Sequence, residues 1–310
     1  MSSSNIAQNL AQNLAQNLAQ SGSFRSQSAT HPGTTGRHNE DACLNRPDLG
    51  LWAVADGAGG HESGEVASAE VVAQLQAIEP GLSAADMLQE VRARLEKAHE
   101  NLRTAASNRG AHAMMATTAV VVMARDDHFA CLWAGDSPAY LLRGNTLTKI
   151  TRDHSLVQEM VDGGIISESE AAHHPQANII TRAVGADADA LSLDKRTGQL
   201  MQGDRLLLCS DGLSKTLPPE RLAELLAMDG EGSAERLVMA AVEAQAADNV
   251  TAITIDFDGD NGSITVDASR GSAASADEHL GVAQDDTATV GSHISHSRGR
   301  QAADQDGERS

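Results

Sequence analysis

Apolar positions along the chain follow two rhythms. In "AADMLQEVRARLEKAHENLRTAA" they fall at 84, 87, 88, 91, 95, 98, 102 and 105, the three-and-four spacing of one helix face. Ser83, with Asp86 three residues on, supplies a capping-box start. Similar spacing predicts a helix over 65–78 and two shorter ones, after Pro218 in "PPERLAELLAM" and after Ser233 in "AERLVMAAVEAQA". The second rhythm is a short dense run, as in "LGLWAVADG", "TTAVVVMA", "FACLWAGDS" and "DRLLLCSDG", which reads as strand. The turns "ARDD" and "RGN" inside "TTAVVVMARDDHFACLWAGDSPAYLLRGNTLTKIT" predict a meander of antiparallel neighbours. Strands in a block, with helices grouped before and after, indicate an α+β fold of packed antiparallel sheet covered by helices.

Both rhythms fade at the ends. "AQNL" occurs three times between 7 and 18, and on a helix its leucines drift by about 40° per repeat. With no charges and no partner segment, 1–28 reads as a low-complexity tail. From Gly259 onward, Gly, Ser, Ala, Asp and His dominate, so 259–310 reads as a disordered tail. One folded domain, 29–258, remains.

Composition narrows the function. A hydrophobic content of 41% supports a sizeable core, and only 2% aromatics means that Val, Leu, Ile, Met and Ala build it, with Trp52 and Trp133 as large fillers. A net charge of -20 argues against nucleic-acid partners and anionic membranes, which need clustered Lys and Arg. No apolar run spans a bilayer and "MSSSNIAQNL" lacks a signal peptide's basic and apolar segments, so a cytoplasmic monomer without membrane insertion is expected. Cys43, Cys131 and Cys209 are scattered, with no C-x-x-C pair, and read as reduced core cysteines.

The chemistry lies where strands stop. "LGLWAVADG" ends on Asp56, "FACLWAGDS" on Asp136 and "DRLLLCSDG" on Asp211, while Asp248 opens the run "DNVTAITIDF". A single Asp-Gly is an ordinary turn pair. Four such acids brought to one edge would repel one another by several kcal/mol unless cations neutralised them, and hard oxygen-bound ions do that. Gly57 and Gly212 leave room for a backbone carbonyl or a water to approach. His173 and His174 stand in a polar loop, no His or Cys shows zinc spacing, and there is no EF-hand loop, so Mg²⁺ or Mn²⁺ is favoured. Upstream, "GRHNEDACL" adds Arg37, Glu40 and Asp41; taken alone it reads as a solvated charge cluster.

In order along the chain, "RHNEDA", "VADGAGGHESGEVAS", "ATTAVVV", "WAGDSPAYLLR", "TRDHSLVQEMVDGG", "NIITRAVG", "LLLCSDGLS" and "ADNVTAI" resemble the bacterial branch of the PPM (PP2C-type) metal-dependent serine/threonine protein phosphatases. The resemblance covers 34–257 and implies an αββα sandwich whose two antiparallel sheets hold metals at one edge. It implies that Asp56 bridges two Mn²⁺ or Mg²⁺ ions and Gly57 offers its carbonyl. Asp211 and Asp248 would complete one shell; Glu40 and Asp41 would serve the other, Asp41 through water. Asp136 with Asp211 resembles a third, weaker metal site, Asn249 supports Asp248, and Thr117 and Thr118 support the core beneath. A shared water, its pKa lowered by two ions, would attack phosphorus in line, with Asp56 and Asp211 central and Arg37 clamping phosphate oxygens.

Two positions depart from the family. Arg37 stands one residue nearer the Glu-Asp pair than the usual basic residue, and Ala58 replaces the His of eukaryotic members, which leaves His61 as a candidate acid. The segment between Asp153 and Arg182 matches the family's flap, so Gly163, Gly164 and 173–178 are expected to move and to influence substrate choice. The implied partners are phosphorylated proteins and a Hanks-type Ser/Thr kinase, with type VI secretion as one setting by analogy. The alternatives are a pseudophosphatase that only binds phosphoproteins and a switch phosphatase for a sigma-factor regulator.

Overall fold

Strands that are apolar on both faces need cover on both sides, and the chain supplies it as four layers. The computed structural model describes residues 18–21, 24–36, 38–58, 62–110, 113–171, 173–186, 190–228 and 230–259. It runs from β1 (Leu18–Ser21), β2 (Phe24–His31), β3 (Asp41–Arg46) and β4 (Leu51–Ala58) into α1 (Glu62–Gln76) and α2 (Ala84–Arg109). Five strands follow: β5 (Ala116–Thr117), β6 (Ala119–Arg125), β7 (His128–Ala134), β8 (Ala139–Arg143) and β9 (Thr146–Lys149). Helices α3 (Leu156–Asp162) and α4 (Glu168–Ala171) precede β10 (Asp194–Gln199) and β11 (Arg205–Cys209). Then come α5 (Asp211–Ser214), α6 (Pro219–Ala227), α7 (Ser233–Glu243) and β12 (Val250–Phe257).

One sheet has the order β1-β2-β12-β11-β8-β9; the other is β10-β7-β6-β4-β3, with β5 paired to β4. Every ladder is antiparallel. Strand alternation sorts the core into three slabs. Trp52 and Val54 of β4, with Val120 and Val122 of β6, meet Leu206, Leu208, Ile253 and Ile255 between the sheets. Leu51, Ala53 and Ala55 turn the other way, onto Val71 and Leu75 of α1 and Val91 and Leu95 of α2. On the far side Leu207, Cys209 and Ala252 pack against Leu222 and Leu226 of α6 and Leu237 and Ala241 of α7. The expected αββα sandwich is thus the observed one.

The helix signals act as read. Ser83 caps α2 by accepting the Asp86 N–H at 3.2 Å, and Met87, Val91, Leu95, Ala98 and Leu102 are its buried stripe. Pro219 takes the first turn of α6, where a missing N–H costs nothing. Two expectations change. The strands from β6 to β9 are not one meander: β6-β7 and β8-β9 are hairpins in different sheets. The link over 135–138 crosses between the sheets, turning at Gly135 with φ +113. A short link did not make neighbours here because Gly135 lets the backbone swing where a Cβ would strike Thr118.

The domain's expected start at 29 also falls inside β2, which begins at Phe24; β1 at 18–21 pairs with it, so β1 and residues 24–28 of β2 belong to the sheet and not to the expected tail. Phe24 plugs the inter-sheet slab against Trp52 and Phe257, with ring centroids 5.5 and 5.2 Å away. Residues 1–17 and 260–310, which hold most of both expected tails, lie outside the described residues. No helix among the described residues is long and apolar enough to cross a membrane.

Candidate metal centre at the strand ends

The alternation that sends Trp52 and Val54 between the sheets carries Asp56 to the rim of that slab. Its direct cross-strand partner is Asp41, the first residue of β3. Two like charges facing each other on a ladder are destabilising, so this juxtaposition calls for a compensating cation. The opposite sheet closes on the same rim. Ser210, ahead of α5, donates its hydroxyl to Asp41 Oδ2 at 2.8 Å, and Asp211 and Asp248 raise the Asp41 carboxyl by their charge.

The backbone around Asp56 is held from below. Its N–H donates to Thr118 Oγ1 at 3.0 Å, its carbonyl accepts from Thr118 N at 2.8 Å and from Thr117 Oγ1 at 2.9 Å, and Thr118 Oγ1 meets Ser137 Oγ at 2.6 Å. Gly57 answers to close backbone packing: a Cβ there would overlap the Gly64 and Glu40 carbonyls. Gly64 in turn is bare where the Glu40 carboxylate lies. Gly212 is bare because the Asn249 carbonyl lies against it.

Asn249 ties the acids of the two sheets together. Its side-chain carbonyl accepts the Glu40 N–H at 2.8 Å, and its amide donates to the carbonyls of Pro32 and His38 at 3.1 and 3.2 Å. Its own N–H donates to Asp248 Oδ1 at 2.9 Å. The loop carrying Glu40 is therefore set by the residue next to Asp248.

Burial dominates the electrostatics. It raises the Asp41 carboxyl to about 7, against hydrogen bonds from Thr251 and Ser210 that lower it. Burial, followed by the charges of Asp41, Asp211, Asp136 and Asp248, holds the Asp56 carboxyl well above the usual range. Asp136 rises to about 6 through burial and Asp211, and Lys215 opposes the rise. That ammonium donates to Asp211 Oδ2 at 2.6 Å, Asp136 Oδ2 at 3.2 Å and Asn178 Oδ1 at 2.8 Å. Burial works against its charge, but Asp211 and Asp136 outweigh burial and hold it above the ordinary lysine range.

The fold thus gathers Glu40, Asp41, Asp56, Gly57, Asp136, Asp211 and Asp248 along one sandwich edge. Arg37 and His61 lie outside the described residues. His173 and His174 stay in a polar loop, where His174 Nδ1 accepts the Gln176 N–H at 3.2 Å. Cys131 and Cys209 are buried in the core, and burial pushes all three thiols up, Cys43 to about 11 with Asp41 adding to it. The sequence marks Asn178 only as the end of the 173–178 segment and does not single out Lys215 or Ser210, although Lys215 stands four residues after Asp211, a spacing that pairs charges on a helix.

A sequence profile of the protein phosphatase 2C family matches residues 30–245. The chain belongs to the protein phosphatase 2C family. It is 36% identical over 207 residues to the serine/threonine protein phosphatase PstP of Mycobacterium tuberculosis, covering 66% of this chain and 40% of PstP. The chain therefore spans less than half the length of that relative. Among solved structures, PppA, a key regulatory component of T6SS in Pseudomonas aeruginosa, is 38% identical with a TM-score of 0.69 over 76% of this chain and 97% of that one. The catalytic domain of PstP in complex with 2 manganese ions is 32% identical with a TM-score of 0.67, over 75% and 97% of the two chains.

The protein phosphatase 2C family is metal-dependent, and the donor set here suits a hard divalent ion. Asp41 Oδ1 and Asp136 Oδ1 are buried and accept no hydrogen bond, a costly state for a carboxylate oxygen that a cation relieves. As they lie, no three His, Cys, Asp or Glu side chains among the described residues stand close enough together to enclose an ion. Asp41 and Asp56 are cross-strand neighbours on the rim, and their side chains would have to turn toward the other acids to close a shell around an ion.

Proposed function

We propose that this chain hydrolyses phosphoserine and phosphothreonine in proteins with two divalent ions, Mn²⁺ or Mg²⁺, held at the sandwich edge. The observation that carries this reading is the face-to-face placement of Asp41 and Asp56 at a rim that Asp211 and Asp248 reach from the other sheet. Asp56 and the Gly57 carbonyl would be among the ligands, with Asp211 and Asp248 holding one ion and Glu40 and Asp41 the other. Bound there, the ions supply Lewis acidity and a nucleophilic water near neutral pH.

The chain's own residues supply position. Thr117 and Thr118 fix the peptide that presents Asp56, Ser210 orients Asp41, and Asn249 sets the Glu40 backbone. Arg37 is assigned to the substrate phosphate on family resemblance. Similarity to PppA across 97% of its length supports a role in controlling type VI secretion, opposite a Ser/Thr kinase.

The test is turnover of a phosphothreonine peptide by metal-stripped protein with Mn²⁺ or Mg²⁺ restored. Activity should return with either ion and fall on the order of a hundredfold to a thousandfold in Asp56→Asn and Asp211→Asn, the scale of removing one group that stabilises developing charge. A folded, metal-loaded wild type with no turnover would replace this reading with the phosphoprotein-binding one.

A further inference from the structure

The resemblance places a third, weaker ion at Asp136 and Asp211, yet in this chain a cation already stands there. Lys215 follows α5 directly, and its i,i+4 spacing from Asp211 lays the ammonium over that carboxylate. The same nitrogen reaches Asp136, whose side chain is only 4% exposed. Its third bond goes to Asn178. Asn178 belongs to the segment that begins with α3 after Ser155 and returns at Ile180, where Ser155 and Ile180 form an isolated bridge and Leu156 N–H donates to the Ile179 carbonyl at 2.9 Å. A single ammonium therefore joins a buried acid, a rim acid and the returning limb of the expected flap.

Resting on the metal-dependent reading above, we propose that Lys215 is a tethered cation that takes the place of a third metal ion between Asp136 and Asp211 and, through Asn178, pins the returning limb 176–180 beside the catalytic edge. A lysine is suited to this. Its ammonium is a compact charge with three donors, here shared among two carboxylates and one amide oxygen. It has no affinity to lose when divalent ions are scarce, so loop position and third-site charge are uncoupled from metal supply. Lys215 acts as a positioning residue: the acids Asp56 and Asp41 would hold the ions that supply the chemistry.

The experiment counts ions rather than turnover. Equilibrium dialysis of the full chain against millimolar Mn²⁺ should give two ions for wild type and for Lys215→Arg, three for Lys215→Met, and two again when Asp136→Asn is added to Lys215→Met. Hydrogen exchange of amides 177–180 should accelerate about tenfold in Lys215→Met and in Asn178→Ala, the second of which leaves the ammonium on its acids and the count at two. Three ions in wild type overturn the proposal, as does a Lys215→Met chain that still binds two, or exchange that Asn178→Ala leaves unmoved. If Lys215→Met does not fold, the wild-type count and the Asn178→Ala exchange decide alone. Wild type that binds no Mn²⁺ and turns over no substrate removes the metal reading itself; wild type with two ions and turnover confines any failure to Lys215.

Discussion

Two pairs of acids share one edge of the sandwich and are treated differently. Asp41 and Asp56 face each other across β3 and β4 with hydroxyl and backbone partners but no Lys, Arg or His bonded to either among the described residues, and burial drives both carboxyls upward, Asp41 to about 7. Asp136 and Asp211 have Lys215 between them, and its charge opposes the rise at Asp136, which reaches about 6. On the proposed reading the first pair receives its charge from outside the chain. The second already has it. Acids clustered at a strand edge are thus not electrostatically equivalent, and on the proposed reading the position of one lysine separates the metal-binding pair from the supporting one.

The largest effects should fall on the pair without a cation. Asp56→Asn should lower turnover on the order of a hundredfold to a thousandfold, whereas Asp136→Asn should lower kcat by less than about tenfold, because the Lys215 charge already balances that side; equal losses in steady-state assays would erase the distinction. Asn249→Ala frees the Glu40 loop from Asp248 and should weaken Mn²⁺ binding about 10- to 100-fold in calorimetric titration, the usual cost of removing a group that orients a ligand.

A pH scan of the metal-free protein comes next in size. The unfolded chain releases its carboxyl protons near pH 4, while folded Asp41 and Asp136 hold theirs to about 7 and 6. Between those limits the folded state binds more protons, so stability must fall as pH rises. Tm should drop by several degrees from pH 5 to pH 8, at roughly 2–4 °C per kcal/mol for a domain this size, and saturating Mn²⁺ should flatten the profile. A rise in Tm over that range would contradict the buried, raised carboxyls. The smallest effect is expected far from the edge: Arg221→Ala breaks an exposed pair with Glu224 and should change unfolding free energy by about 0.5 kcal/mol or less in urea titration.

Much of this was legible before any coordinates. The doubly buried strands β4, β6 and β11 announce themselves as unbroken apolar runs, and the acids that end them mark the rim. β2 was hidden because "FRSQSATH" shows no apolar alternation beyond Phe24: its one other buried position is Ser26, a polar residue satisfied by donating to Asn45 Oδ1 at 2.7 Å. The crossing from β7 to β8 was hidden because link length cannot tell a hairpin from a change of sheet; Gly135 decides it by a backbone angle. Lys215 was visible at i+4 from Asp211, but nothing local says that Asp136 and Asn178, 79 and 37 residues away, converge on the same nitrogen. Long-range polar convergence is what local pattern does not carry.

The most direct measurement is a crystal structure of the full chain grown with Mn²⁺, read by anomalous scattering at the manganese edge. Two peaks should lie against Asp56, one completed by Asp211 and Asp248 and the other on the side of Glu40 and Asp41, with Lys215 still between Asp136 and Asp211. No anomalous peak at Asp56 in protein that binds Mn²⁺ in solution would contradict the account.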